Sequence, residues 1–149
     1  MIEVTTLCYL EKDDKVLMLY RNKKENDINE GKWIGVGGHV MHGESPEECV
    51  RREVKEETGY DLVSETLCGV ITFVYKDVTE YMFLFKSDDF TGEQVAECDE
   101  GELRWIPWNE VDGLSLWEGD RMFLPLLKEN SDFFTMKLVY DDAGNLILY

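Results

Sequence analysis

The chain has 149 residues, with 32 acidic against 15 basic side chains and a formal net charge of −17. The length suits a single domain over 1–149 with its own core, and 44% hydrophobic with 12% aromatic residues excludes an acidic disordered tail. Such acidity argues against nucleic-acid polymers and anionic membranes as partners, and it sets the protein against any phosphate-bearing small molecule as well.

The first residues, Met1-Ile2-Glu3-Val4-Thr5-Thr6, lack the basic-then-apolar pattern of a targeting segment. No apolar run approaches the ~18 residues of a membrane span. Cys8, Cys49, Cys68 and Cys98 show neither a C-x-x-C pair nor zinc-ligand spacing, so they read as reduced, mostly buried thiols of a cytoplasmic protein.

Taken in chain order, Ile2 to Leu10 is rich in β-branched residues and predicts a strand. Asp13-Asp14 suits a turn into a second strand over Lys15 to Tyr20. Arg21 to Gly31 is polar and predicts a loop. Trp33 to Val40 carries Gly35, Gly37 and Gly38, which marks a strand or extended loop that something approaches closely. A helix follows, with Ser45 as N-cap, Pro46 at the first position, Glu48 completing a capping box, and Gly59 as terminator after Thr58. Leu67 to Lys76 and Thr79 to Lys86 predict a hairpin, and Leu103 to Trp108 a short strand. A second helix is predicted over Asp120 to Glu129, with Pro125 permitting only an irregular first part. Phe134 to Tyr140 and Leu146 to Tyr149 predict a terminal hairpin, which completes an α+β pattern.

The first helix carries its charges on an unexpected face. At ~100° per residue, Glu53, Glu56 and Glu57 fall at about 0°, 300° and 40°. Cys49 and Val50 share that arc, at about 320° and 60°, while Arg51 and Lys55 lie opposite. Like charges three and four residues apart repel, the helix C-terminus disfavours anions, and burial adds a desolvation cost. Converging carboxylates of this kind suit a hard divalent cation, and Mg²⁺ shares its oxygen ligands with substrate phosphates.

Gly38, Glu44 and Arg52-Glu53-Val54-Lys55-Glu56-Glu57-Thr58-Gly59-Tyr60 resemble the Nudix box, G-x5-E-x7-R-E-U-x-E-E-x-G-U. Every fixed polar and glycine position is met, and only Tyr60 departs, standing where an aliphatic residue is usual. The resemblance implies an α/β/α sandwich with a mixed β-sheet between helices. It also implies hydrolysis of nucleoside diphosphates linked to another moiety. Glu53, Glu56 and Glu57, with the carbonyl of Gly38, would then hold Mg²⁺, for which Mn²⁺ could substitute. Arg52 would orient Glu53, Glu44 would support, and either Glu53 or an acid outside the box would activate water. Among Glu97, Asp99, Glu100 and Glu102, the expected extra ligand or base is Glu102, with Glu100 the competitor.

Beyond the box, Gly31-Lys32-Trp33, Leu116-Trp117-Glu118-Gly119-Asp120 and Phe123-Leu124-Pro125-Leu126-Leu127 are similar to the MutT-like oxidised-purine branch of the family. That likeness implies cleavage of nucleoside triphosphates of the 8-oxo-dGTP type to monophosphate and pyrophosphate, a role in nucleotide-pool sanitation. Trp117 would stack on the purine and Asp120 would bond its edge, while Arg21, Lys23, His39 and Gly37 would serve the phosphates. Two positions depart: Ile34 replaces an asparagine that reads the base in one branch, and His39 replaces a common lysine. ADP-ribose, dinucleoside polyphosphates and other triphosphates are the alternative substrates, and a non-catalytic binding module the alternative class. Monomer and homodimer are both compatible with the sequence.

Overall fold

The computed structural model describes residues 1–149. Its elements are β1 (Ile2–Lys12), β2 (Lys15–Arg21), β3 (Trp33–Ile34), β4 (Val36–His39), α1 (Pro46–Thr58), β5 (Tyr60–Tyr75), β6 (Val78–Gly92), β7 (Gly101–Pro107), α2 (Asp120–Lys128), β8 (Phe134–Tyr140) and β9 (Leu146–Leu148). A 3₁₀ turn over Trp108–Gly113 was not signalled by the sequence.

The nine strands form one open sheet in the order β3-β2-β1-β6-β5-β8-β9, with β4 paired to β1 and β7 to β2. β1–β6 and β5–β8 are parallel and the other pairings antiparallel, so the sheet is mixed. β1 is buried on both sides from Thr5 to Leu10, as a central strand must be. Its alternation sends Leu7 and Tyr9 to one face and Cys8 and Leu10 to the other.

α1 covers the second face, where Val50 and Val54 meet Cys8, Leu10, Leu62 and Phe85. α2 covers the first, where Phe123, Leu124 and Leu127 meet Leu7, Tyr9, Ile71, Leu84 and Leu138. Each fully buried apolar side chain here contributes ~1.5–3 kcal/mol. The expected α+β architecture, a mixed sheet between helices, is the one observed.

Local signals act where they were expected. Asp13 and Asp14 both take positive φ, 53° and 62°, the geometry that a two-residue hairpin needs. Ser45 accepts from the Glu48 N–H, the Glu48 side chain accepts from the Ser45 N–H, and Gly59 ends α1 at φ 86°. The first turn of α2 is held by i→i−3 bonds from Asp120, Arg121 and Met122, which gives the irregular start expected with Pro125.

Elsewhere the structure departs from the predicted bounds. Trp33 to Val40 splits at Gly35, β3 joining β2 and β4 joining β1. β5 and β6 are far longer than predicted, because register shifts around Leu62, Ser64, Thr66 and Leu67 break the two-residue alternation. No helix is long and apolar enough to cross a membrane. Cys8, Cys49 and Cys98 are buried, Cys68 is half-buried, and all four are free thiols.

Candidate active site

Gly37 lets β4 pair closely with β1, and Gly38 lets α1 reach the sheet. A Cβ on Gly37 would run into the Thr6 carbonyl oxygen, and one on Gly38 would sit 2.5 Å from the Glu53 carboxyl carbon. With neither present, the Gly37 N–H donates to Glu57 Oε1 at 3.0 Å, and Glu53 lies against Gly38. The last turn of α1 is thereby tied to β4 through its carboxylates.

Glu57 is 6% exposed, and its Oε2 has no hydrogen-bond partner. Burial, then the charges of Glu100 and Glu53, push its carboxyl up to about 9. Burial also works to raise Glu100, but Lys24 and Arg21 outweigh it and hold that carboxyl below its ordinary range.

Arg52 organises the outer side of the cluster. It grips Glu44 with two bonds, Nε to Oε2 at 2.7 Å and Nη2 to Oε1 at 2.9 Å. Its Nη1 donates to Glu53 Oε1 at 2.7 Å and Nη2 to the His39 carbonyl at 3.1 Å. The Arg52 bonds, then the Met41 N–H, lower the Glu44 carboxyl to about 2. Glu56 stays largely exposed and reaches Arg52 Nη1 only at 3.4 Å.

No group of three acidic, histidine or cysteine side chains is arranged to close around a metal ion as the side chains stand. The donor chemistry nevertheless fits Mg²⁺. Every candidate donor (Glu53, Glu56, Glu57, Glu100 and the Gly38 carbonyl) is a hard oxygen, and the orphaned Oε2 of Glu57 is a buried acceptor lacking a positive partner.

Glu102, expected as the extra acid, lies outside this cleft. It is bound by its own neighbour Arg104, at 2.8 and 2.6 Å, and is half-exposed. Glu100 stands in its place, because Gly101 packs directly on the Tyr20 carbonyl and the Cys98–Gly101 turn folds Glu100 back toward Arg21 and Lys24. Lys23 is likewise turned away, its Nζ donating to the Cys98 carbonyl at 2.9 Å. Lys24, one residue on, pairs with Glu100 at 2.9 Å, and Arg21 bridges Asp27 at 2.8 Å and Glu100 at 3.3 Å. A polar loop has no periodicity by which sequence could separate Lys23 from Lys24. His39 sits exposed on the rim, 3.2 Å from Glu3 Oε2.

A hollow of about 200 Å³ opens beside the carboxylates. Leu7, Ile34, Phe73, Met82, Trp117 and Asp120 line its inner end. Trp117 is held by edge contacts with Phe73, Tyr75 and Tyr140 at centroid distances of 5.3, 5.5 and 4.9 Å. Its indole N–H donates to Asn29 Oδ1 at 2.9 Å. It is at once a core aromatic and a wall of the hollow. The Tyr140 hydroxyl accepts the Gly119 N–H at 2.7 Å and so fixes the turn between Trp117 and Asp120.

Asp120 is 5% exposed, faces the hollow, and makes no hydrogen bond through its carboxyl. Burial pushes that carboxyl up to about 8, with Lys32 and Arg121 opposing. Burial thus favours its protonated form, which both donates and accepts.

A family model described as NUDIX domain matches residues 1–127. The uncharacterized Nudix hydrolase YvcI of Bacillus subtilis is 34% identical, over 99% of this chain and 93% of its own. An oxidized purine nucleoside triphosphate hydrolase of Danio rerio is 31% identical over 88% of this chain and 83% of its own. The crystal structure of a MutT protein from Bacillus halodurans superposes with a TM-score of 0.88 at 26% identity, covering 98% and 95% of the two chains. The chain belongs to the Nudix family.

The raised Asp120 carboxyl has a consequence for stability. The folded protein keeps this proton where the unfolded chain has lost it, so stability falls as pH rises from the ordinary carboxylate range near 3.8 to about 8. Asp120→Asn removes the titration. Its Tm advantage over the parent protein is expected to grow across that interval in thermal unfolding scans. A pH-independent difference would contradict the buried, protonated state.

Proposed function

We propose that this chain is a Mg²⁺-dependent pyrophosphohydrolase of purine nucleoside triphosphates, oxidised purines foremost, releasing monophosphate and pyrophosphate. The observation that carries this reading is the buried Glu57 carboxyl with its orphaned oxygen, tied to the glycine strand and adjoining Glu53 and Glu100. It needs a cation, and the neighbouring hollow suits a flat base against Trp117.

Bound among these oxygens, Mg²⁺ would supply phosphate charge neutralisation and an acidified water. Glu57, Glu53, Glu56 and Glu100 with the Gly38 carbonyl would be its holders. Arg52, itself locked on Glu44, holds Glu53 Oε1 and so orients Glu53 Oε2 to accept the proton of the attacking water. Arg21 and Lys24 supply positive charge beside Glu100, where the phosphates would lie. Trp117 offers an aromatic face, and protonated Asp120 would match the lactam edge, an N–H beside a carbonyl, that guanine and 8-oxoguanine share. The similarity to a relative named for oxidised purine triphosphates supports this choice of substrate. A cytoplasmic location and a single domain fit the reading.

Offering the purified protein a nucleotide panel with MgCl₂, while resolving phosphate from pyrophosphate, tests it. Turnover of 8-oxo-dGTP well above dGTP is expected, whereas no turnover of any member would contradict the enzyme assignment. Glu57→Gln is expected to lose turnover by orders of magnitude while staying folded. Glu100→Gln should lose at least tenfold in kcat and Glu102→Gln less than twofold. The reverse ranking would return the extra acid to Glu102.

A further inference from the structure

Of the acids that line the hollow, Glu3, Asp27 and Glu100 are paired with His39, Arg21 and Lys24, which leaves beside Asp120 one more, Glu80, that the reaction does not use. Glu80 sits on β6, in register with Phe73 on β5 and Glu3 on β1. Alternation along β6 puts it on the same face as Met82, so it lines the floor of the hollow together with Asp120. The Thr5 hydroxyl donates to its Oε2 at 2.8 Å, and no donor reaches Oε1. Burial raises this carboxyl, and the Thr5 bond opposes that by favouring the ionised form. Its charge in turn helps to raise Asp120, so the two acids act on each other across one cavity.

Two acids without a basic partner facing one hollow is an unfavourable arrangement unless a ligand answers both. Asp120 is nine-tenths buried, unpartnered and aimed into the cavity, which independently marks the place as a ligand site. A protonated Asp120 donates and accepts, and so matches a lactam edge. Oε1 of Glu80 accepts only, and it calls for a separate N–H donor. Ile34, on the same wall, can supply neither.

We propose that Glu80 is a specificity-determining residue that accepts a hydrogen bond from the exocyclic amino group of a guanine-type purine, alongside the lactam contact of Asp120. This rests on the purine site of the preceding section and deepens it. Adenine-type bases lack the lactam, and hypoxanthine-type bases lack the amino group. The guanine type alone among these carries both.

The comparison of dGTP with dITP, and of their 8-oxo forms, isolates the amino group, since each pair differs only there. The parent protein is expected to favour the amino-bearing member at least tenfold in kcat/KM, equivalent to ~1.4 kcal/mol. Glu80→Leu should bring that ratio within about twofold by raising KM for the amino-bearing member, with the amino-less one and kcat little changed. A parent ratio near one, or a ratio that Glu80→Leu leaves intact, overturns the proposal. If Glu80→Leu does not fold, Glu80→Gln keeps the shape and a partner for Thr5, and a fall of at least threefold in the ratio is expected. No turnover of any purine triphosphate by the parent protein would instead overturn the hydrolase reading. Glu80 is then judged by equilibrium binding of guanosine against inosine monophosphate, where equal or absent binding overturns it.

Discussion

A carboxyl group buried at the wrong end of a helix governs this molecule. Glu57 lies in the last turn of α1, where the helix dipole disfavours an anion, and it is almost wholly out of water. One oxygen is satisfied by the Gly37 amide and the other by nothing. The surroundings are built to keep it there. Gly37 lets β4 press against Thr6 of β1 while its N–H bonds Glu57, Gly38 leaves room for the neighbouring Glu53 carboxyl, and the capping box and Gly59 fix the ends of the helix that carries it. Arg52 neutralises the neighbours Glu44 and Glu53 without reaching Glu57. The result is a local deficit of positive charge that a divalent cation would fill.

The net charge of −17 acquires a location in this picture. On the proposed reading, the acids that would serve phosphate binding are Glu53, Glu56, Glu57 and Glu100, where a cation would invert their sign toward a nucleotide. A different group, Asp120 and Glu80, lines the adjoining hollow and, as proposed, would work through hydrogen bonding rather than charge inversion. Solubility accounts for acids elsewhere on the surface.

What was legible in the sequence was what short-range chemistry decides. The caps of α1, the Asp13-Asp14 turn and the carboxylate-bearing face of the helix all follow from neighbours within one or two turns, and the structure realises them. What escaped was decided by contacts distant in sequence. The choice of Glu100 over Glu102 depends on Gly101 abutting Tyr20 on another strand. Lys24 rather than Lys23 faces the cleft because Cys98 captures the latter. Glu80 carries no signal of its own in the sequence, and only β1 and β5 bring Thr5 and Phe73 beside it. The length of β5 and β6 was hidden by bulges that break the alternation on which strand recognition relies.

On the proposed reading, these carboxylates would become a phosphate site only with a divalent cation. Calorimetric titration of a non-hydrolysable purine nucleoside triphosphate analogue, with MgCl₂ and then with excess chelator, tests it directly. Binding with Mg²⁺ and none detectable without it is the predicted result. Equal affinity in the two conditions would contradict it.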